Sequence, residues 1–291
     1  MAAYLKTYQA LSHERLQAAL LDLFGLRVSQ GGLMSMPRRA QRRLEAGRER
    51  AVAALRRAGP RRWLPTVGST ASDGVGIEGG NARHRVFRRG AAVVHHADPT
   101  RAASVVRAMT DGHRPAVWLS GRYSARQGHG PARQTCLAHL ARDAACAVEA
   151  SDGPVPVRLK LWLASALDMA DGAAGLAAST SAAKRRALER RLTDILAAPT
   201  SCDLARGLQA RLRRARDRLP TFAERPGEVA ATDDACERDL RPSVIRRRVT
   251  DGDRAMEAAK GEADVRTVVD TARLTPPGSG VFGTILTTVA A

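Results

Sequence analysis

The sequence predicts an α+β protein, because stretches with helical spacing of apolar residues lie on both sides of a stretch with strand-like spacing. Residues 1–62 carry apolar side chains every three or four positions. Beyond Pro65 the spacing becomes that of short strands, and from residue 132 onward it is again mostly helical. The chain has 291 residues, of which 44% are hydrophobic, so it can bury a sizeable core.

The N-terminal helical segment predicts two helices joined at a glycine. We expect Ser12 to cap the first helix and Gly25 to end it, because a serine hydroxyl satisfies free backbone amides and glycine adopts the left-handed conformation. Ser29 is expected to cap the second helix, and Pro37 to kink or end it. The pair is typical of a helix-turn-helix that binds DNA, although many two-helix hairpins share the pattern.

The middle of the chain predicts three strands, a helix that begins at Asp98-Pro99-Thr100, and a fourth strand. Three strands in a meander, a helix and a further strand form the first half of a ribonuclease-H-like layout. The strands are expected at 75–78, 83–87, 91–95 and 115–119.

The remainder of the chain predicts helices, with one short strand at 244–249. Breaks between the helices are indicated by Gly153-Pro154, Gly172 and Pro199. The helices are expected at 132–150, 155–170, 181–197, 203–219, 233–240, 262–274 and 280–290.

The net charge of +18, from 47 Lys+Arg against 29 Asp+Glu, indicates a polyanionic partner. Nucleic acid is favoured over an acidic membrane surface or an acidic protein. Only four of the cations are lysines, which fits both a GC-rich coding sequence and arginines that contact phosphates. The charge is densest in two stretches: residues 38–62 hold ten Arg and two Glu, and residues 184–218 hold eleven Lys+Arg and four acids.

Several other classes of site and segment are disfavoured. The four cysteines have no C-x-x-C spacing, so we expect neither a disulfide framework nor a zinc site, and a reducing cytosol is the default. The sequence contains no H-E-x-x-H and no G-x-S-x-G motif. No apolar run approaches 18 residues, and the N-terminus does not read as a secretory signal.

Six short blocks of the sequence are Ala3–Gln17, Phe24–Leu33, His113–Ser120, Tyr123–His129, Cys136–His139 and Glu237–Pro242. In this order they resemble the central and catalytic regions of bacterial transposases of the insertion sequence sixty-six family. The resemblance covers nearly the whole chain, from about residue 3 to about residue 290. Met1 falls where the central region of the family would begin, so a copy truncated at its N-terminus is expected.

The resemblance implies a DDE transposase with a ribonuclease-H-like core and a helical insertion. In that family two Asp and one Glu hold two divalent metal ions, expected to be Mg²⁺, which clamp the attacking and leaving oxygens of a displacement at phosphorus. The implied activity is cleavage and strand transfer at transposon ends. The implied partners are double-stranded DNA and a second copy of the chain or other transposition proteins, with no membrane, in the cytoplasm at the bacterial nucleoid.

The acids that the family needs are incomplete in this sequence. The first acid position falls on Ala71, and Asp73 lies two residues further, on the same face of a strand. The second acid position falls on Gly121, whereas the third keeps its carboxylate as Glu237. Asp73 and Glu237 are therefore the candidate catalytic residues and metal ligands. One carboxylate in register cannot hold a metal pair, so a transposase impaired in cleavage is expected.

Two alternatives to an impaired enzyme stay open. One is a DNA-binding remnant or regulator of transposition without catalysis. The other is a chain that folds poorly, because Arg83 and Arg85 stand where the family tends to have Trp. The candidate DNA-contacting residues are Arg38, Arg39, Arg42, Arg43, His139, Arg142, Arg238 and Arg241.

The resemblance also predicts the domain organisation. A helical, helix-turn-helix-like DNA-binding segment at 1–64 comes first, and the first half of the core follows at 65–152. An arginine-rich helical insertion is expected at 153–225. The C-terminal part of the core, with the helix of Glu237 and the terminal helices, is expected at 226–291.

Overall fold

A computed structural model of the chain describes most of its residues. For Pro37, Arg38, 66–77 and 80–82 it describes the backbone alone. The described residues are mostly helical with a few strands, so the predicted α+β class is confirmed. They are 1–57, 66–77, 80–121, 129–151, 153–250, 252–253, 255–275 and 283.

The chain divides into two compact units. Unit 1 consists of Met1–Arg57, Gly68–His113 and Ala235–Ala291, and unit 2 of Ala58–Val67 and Arg114–Asp234. The strands are β1 (Thr66–Ile77), β2 (Gly80–Arg89), β3 (Ala92–Asp98), β4 (Val117–Ser120) and β5 (Ala132–Thr135). The helices are α1 (His13–Phe24), α2 (Gln30–Arg56), α3 (Ala103–Thr110), α4 (Leu137–Glu149), α5 (Pro154–Gly172), α6 (Ala178–Ala197), α7 (Asp203–Ala215), α8 (Thr221–Glu224), α9 (Asp234–Thr250) and α10 (Met256–Leu274).

The ends of the first two helices follow the sequence signals. The Ser12 hydroxyl accepts a hydrogen bond from the Arg15 amide at 3.1 Å, and Gly25 ends α1 with a φ of 65°. The Ser29 hydroxyl caps α2 in the same way. The expectation that Pro37 ends the second helix is wrong, because α2 continues to Arg56. Proline removes one backbone hydrogen bond, whereas the buried face of α2 keeps its tertiary contacts on both sides of it.

The sheet of unit 1 is an antiparallel meander of β1, β2 and β3, in the order that the sequence predicts. The first strand starts at Thr66, well before the predicted 75–78. The register of β1 shifts between Ser72 and Val75. Helix α10 packs against β3 and is tied to it by two threonines. The hydroxyls of Thr267 and Thr271 accept hydrogen bonds from the amides of His95 and Val93, at 2.9 and 3.1 Å.

Unit 2 surrounds one pair of parallel strands, β4 and β5, with helices α4 to α8. The helix predicted at 132–150 is wrong in its first four residues, which form β5. The reason is tertiary: the Gln134 side chain is buried, donates to the Leu219 carbonyl at 3.2 Å and accepts from the Phe222 amide at 2.9 Å. The core of unit 2 contains Val117, Leu137, Leu140, Leu159, Trp162, Leu163, Leu192, Leu208, Leu212 and Phe222.

The strand predicted at 244–249 is also wrong, because these residues belong to α9. The buried guanidinium of Arg246, held by Asp253 and Glu262, faces inward from that helix. The helix predicted at 280–290 lies outside the described residues, apart from Gly283. Among the helices that the structure describes, none combines the length and the hydropathy needed to cross a bilayer.

Candidate functional site

Three side chains with metal-binding chemistry meet at one end of the strand pair of unit 2. Cys136 directly follows β5, and His139 lies in the first turn of α4. Asp233 comes from the segment before α9, and this segment is held to α4 because the Leu137 amide donates to the Ala231 carbonyl at 2.9 Å. Since β4 and β5 are parallel, the site lies at their carboxyl ends, where ligands commonly bind in such sheets.

These three residues are called the Cys–His–Asp cluster below. One potential ligand atom from each lies within 4.8 Å of those from the other two. The Nδ1 atom of His139 is 3.6 Å from Oδ1 of Asp233, which is too long for a hydrogen bond. The backbone amide of Asp233 donates to Sγ of Cys136 at 3.4 Å. The cluster therefore joins β5, α4 and the segment before α9.

The Asp233 carboxyl group is the most unusual feature of the cluster. Its side chain is 0% exposed, and neither oxygen accepts a hydrogen bond from an N–H or O–H group of the described residues. Burial and the neighbouring Asp233 carboxylate raise the pKa of Cys136 to about 12. The His139 side chain remains 28% exposed, so the cluster can be reached from solvent on that side. A buried carboxyl group without such donors is costly unless a cation or an ion pair satisfies it.

Gly121, the second acid position implied by the family resemblance, lies beside this cluster. A Cβ atom at Gly121 would be 3.6 Å from Cε1 and Nε2 of His139 and 3.9 Å from Oδ2 of Asp233. Sequence reasoning missed Asp233, which is 97 positions from Cys136 along the chain. The local signal that was available is the Cys136-x-x-His139 spacing, which places both side chains on one face at the start of a helix.

The two candidate catalytic acids lie in unit 1. Glu237 is half-buried on α9, between two residues, Cys236 and Leu240, that pack against Val86 and Val93 of β2 and β3. Asp73 lies on β1 inside the register shift, and only its backbone is described. Their roles as metal ligands stay predictions.

Most of the candidate DNA-contacting arginines are exposed, as a contact with DNA requires. Arg39, Arg42 and Arg43 are exposed on α2, whereas the side chain of Arg38 lies outside the described part. On α4 and α9 the exposed ones are Arg142, Arg238 and Arg241. The proposed contacts of these residues and of His139 with DNA stay predictions.

A groove of about 660 Å³ in unit 2 gathers further arginines, which we call the arginine groove. Arg211 and Arg214 reach it from α7, and Arg218 lies just beyond that helix. Nη1 of Arg211 is 2.6 Å from Oδ2 of Asp143. Burial and the Arg218 guanidinium lower the pKa of Arg133. The other lining residues are Thr135, Leu140 and Ala215.

Comparisons with known proteins agree with the six sequence blocks. A family model described as Transposase IS66 family matches residues 1–261 of the chain. A search among curated proteins finds no match. The family match extends over both units and includes Gly121, the Cys–His–Asp cluster and Glu237. The chain therefore belongs to the IS66 family of transposases.

Proposed function

We propose that this transposase-family protein binds double-stranded DNA and has lost metal-dependent strand cleavage. A transposase-type function follows from its family. The observation that carries the DNA-binding part is the arginine groove, in which Arg211, Arg214 and Arg218 line one surface of unit 2. These three arginines belong to the stretch 184–218, in which eleven Lys+Arg stand against four acids.

The chemistry of the arginine groove suits phosphate. A guanidinium group donates two parallel hydrogen bonds to phosphate oxygens and keeps its charge at any physiological pH. Asp143 holds one of the three guanidinium groups, that of Arg211, in place at the groove. Neutralising several phosphates releases counterions, so the affinity for DNA is expected to fall steeply as the salt concentration rises.

The loss of cleavage is inferred from the residues at the acid positions. The family implies the use of divalent metal ions in general, and a Mg²⁺ pair needs several hard oxygen ligands. Ala71 and Gly121 offer no carboxylate. The side chains beside Gly121 include a thiol and an imidazole, which are softer donors than Mg²⁺ prefers. These residues do not fit a magnesium pair.

A second candidate function is an active transposase in which Asp233 replaces the missing second acid. The observation in its favour is that Oδ2 of Asp233 lies 3.9 Å from the position that a Cβ atom of residue 121 would occupy. Strand cleavage with Mg²⁺ or Mn²⁺ that disappears in both Glu237→Gln and Asp233→Asn would establish it.

The DNA-binding proposal is tested with variants of α7 in the full-length chain. Affinity for a labelled DNA duplex is measured over a series of salt concentrations. The double variant Arg211→Ala/Arg214→Ala is expected to make the slope of log K against log[salt] less negative by roughly one to two. Each phosphate that is no longer neutralised accounts for about 0.9 of that change. The control is Arg206→Ala, which removes an exposed arginine of α7 that pairs with Asp203 and does not line the groove. Equal slopes for the double variant, the control and the unmodified chain would refute the proposal.

A further inference from the structure

We propose that Cys136, His139 and Asp233 form a binding site for a Zn²⁺-type transition-metal ion in unit 2. The inference does not depend on DNA binding, because the arginine groove and the cluster share no residue. The proposal also explains why the residues near Gly121 do not fit Mg²⁺. Gly121, the second acid position of the family, lies next to three ligands that suit another class of metal.

The donor set selects the class of ion. One thiolate, one imidazole nitrogen and one carboxylate oxygen are the ligands that bind Zn²⁺ in proteins, and three protein ligands leave a fourth position for water. Hard cations such as Mg²⁺ and Ca²⁺ prefer oxygen ligands alone. A thiol in the set therefore disfavours them and favours Zn²⁺ or Co²⁺.

The distances within the cluster suit one ion. A tetrahedral Zn²⁺ with nitrogen and oxygen ligands at about 2.0–2.1 Å holds those two atoms about 3.3–3.4 Å apart. The observed separation between Nδ1 of His139 and Oδ1 of Asp233 is 3.6 Å, so an adjustment of a few tenths of an ångström suffices. The ligand atoms of the cluster all lie within 4.8 Å of one another, a spacing at which one ion can contact all three after the side chains adjust.

A second, independent observation is the buried Asp233 carboxyl group. It is 0% exposed and accepts no hydrogen bond from an N–H or O–H group of the described residues. A metal ion at this place would satisfy it. The amide of Asp233 already donates to Sγ of Cys136, which is the kind of supporting contact that stabilises a metal-bound thiolate.

Gly121 contacts the cluster through its backbone alone. A Cβ atom at residue 121 would lie 3.6 Å from Nε2 of His139 and 3.9 Å from Oδ2 of Asp233, and glycine places no such atom there. The competing explanation is a cluster without metal, in which the Cys136 thiol donates a hydrogen bond to the Asp233 carboxyl group and His139 lies 3.6 Å from that group. The two accounts differ in whether Cys136 binds a metal ion as a thiolate.

The test uses Co²⁺ as a spectroscopic probe of the full-length, metal-stripped chain. We expect one equivalent of Co²⁺ to bind, with a thiolate-to-cobalt charge-transfer band in the near ultraviolet and the visible bands of tetrahedral cobalt. One equivalent of Zn²⁺ is expected to abolish these bands, whereas a large excess of Mg²⁺ is not. Zn²⁺, but not Mg²⁺, is also expected to raise the melting temperature, because the ion binds the folded chain.

Substitutions within the cluster identify the residues that bind Co²⁺. Cys136→Ser is expected to remove the charge-transfer band, and Asp233→Asn to weaken Co²⁺ binding at least tenfold. The matched controls are Cys202→Ser and Asp143→Asn, in the same unit but outside the cluster, which should bind Co²⁺ as the unmodified chain does. Absence of the band in the unmodified chain, or its persistence in Cys136→Ser, would overturn the proposal and favour the cluster without metal. If a variant fails to fold, the stoichiometry and the Zn²⁺-dependent melting of the unmodified chain still decide the question.

Discussion

Nε2 of His95 lies 2.8 Å from Oδ2 of Asp270, and both side chains are buried in unit 1. The other nitrogen of His95 lies 2.9 Å from Nε2 of His84, and the Tyr8 hydroxyl donates to Oδ1 of Asp270 at 2.8 Å. A chain of hydrogen bonds thus joins β2, β3, α10 and the N-terminal segment. Buried polar chains of this kind stabilise a fold only while every member keeps its partner and its protonation state.

The stability of the protein is expected to fall below about pH 6.5 because of His84. Burial and the neighbouring His95 hold the pKa of His84 well below its usual range. The unfolded chain therefore takes up a proton near pH 6.5 that the folded chain does not bind, and each further pH unit costs up to about 1.4 kcal/mol. Urea unfolding between pH 5 and pH 7.5 should show a shallower pH slope for His84→Gln than for the unmodified chain. The exposed His113 provides the control His113→Gln, and a His84→Gln slope equal to that of the control would contradict this account.

The hydroxyl of Tyr8 is expected to contribute about 1 kcal/mol to the free energy of unfolding, the usual size for an intramolecular hydrogen bond. Tyr8→Phe keeps the ring and removes only the donor to Asp270. Tyr4→Phe is the matched control, because its hydroxyl accepts an exposed hydrogen bond from Gln9 and should matter by less than about 0.5 kcal/mol. The two variants are compared by chemical denaturation, and a larger loss in Tyr4→Phe would be inconsistent with the buried network.

Arg246 is expected to be one of the most sensitive positions of unit 1. Its guanidinium is held by Asp253 at 2.8 and 3.0 Å and by Glu262, which also pairs with Arg266 at 2.6 Å. Burial raises the pKa of Glu262, but the charges of Arg246 and Arg266 more than offset this, so its pKa is lowered overall. Arg246→Ala leaves buried carboxylates without this cation and should cost about 3–5 kcal/mol.

The control for that variant is Arg248→Ala, an exposed position on the same helix, for which a change within about 0.5 kcal/mol is expected. Denaturation midpoints compare the two. A similar midpoint for both variants would show that the buried cluster contributes little.

Two glycines of unit 2 should respond in opposite ways to alanine. At Gly121 the new Cβ meets nothing closer than 3.6 Å, so Gly121→Ala should be neutral or stabilise by about 0.4–1 kcal/mol through the unfolded chain. At Gly130 it would lie 2.8 Å from the Pro115 carbonyl and 3.2 Å from that of Ala132, and Gly130→Ala should cost about 1–3 kcal/mol. Melting temperatures in the reverse order would contradict the described backbone around β4 and β5.

Local signals in the sequence were enough for the helix ends and for the meander. Ser12, Gly25 and Ser29 act within a few residues of their own position, so their roles are readable from composition and spacing. The strand β5 and the length of α9 were missed because distant partners decide them. Gln134 is held by Leu219 and Phe222, which are 85 and 88 positions further along the chain. Arg246 is held by Asp253, which lies beyond the end of its own helix.

The candidate site shows the same limit. The Cys136-x-x-His139 spacing is visible in the sequence, but its carboxylate, Asp233, arrives from 97 positions further along the chain. The family resemblance implies that Gly121 stands at an acid position, and only the structure shows that a buried carboxyl group lies beside it. The identity of a ligand set is a property of the fold, because nothing in the local sequence specifies which distant residue completes it.

The central claim is that the protein binds DNA without cleaving it. The most direct test incubates supercoiled plasmid with saturating protein and either Mg²⁺ or Mn²⁺. Retention of the DNA by the protein is measured in the same sample. We expect salt-sensitive retention and intact supercoiled DNA. Nicked or linear product that is abolished by Glu237→Gln would contradict the claim, as would the absence of retention at low salt.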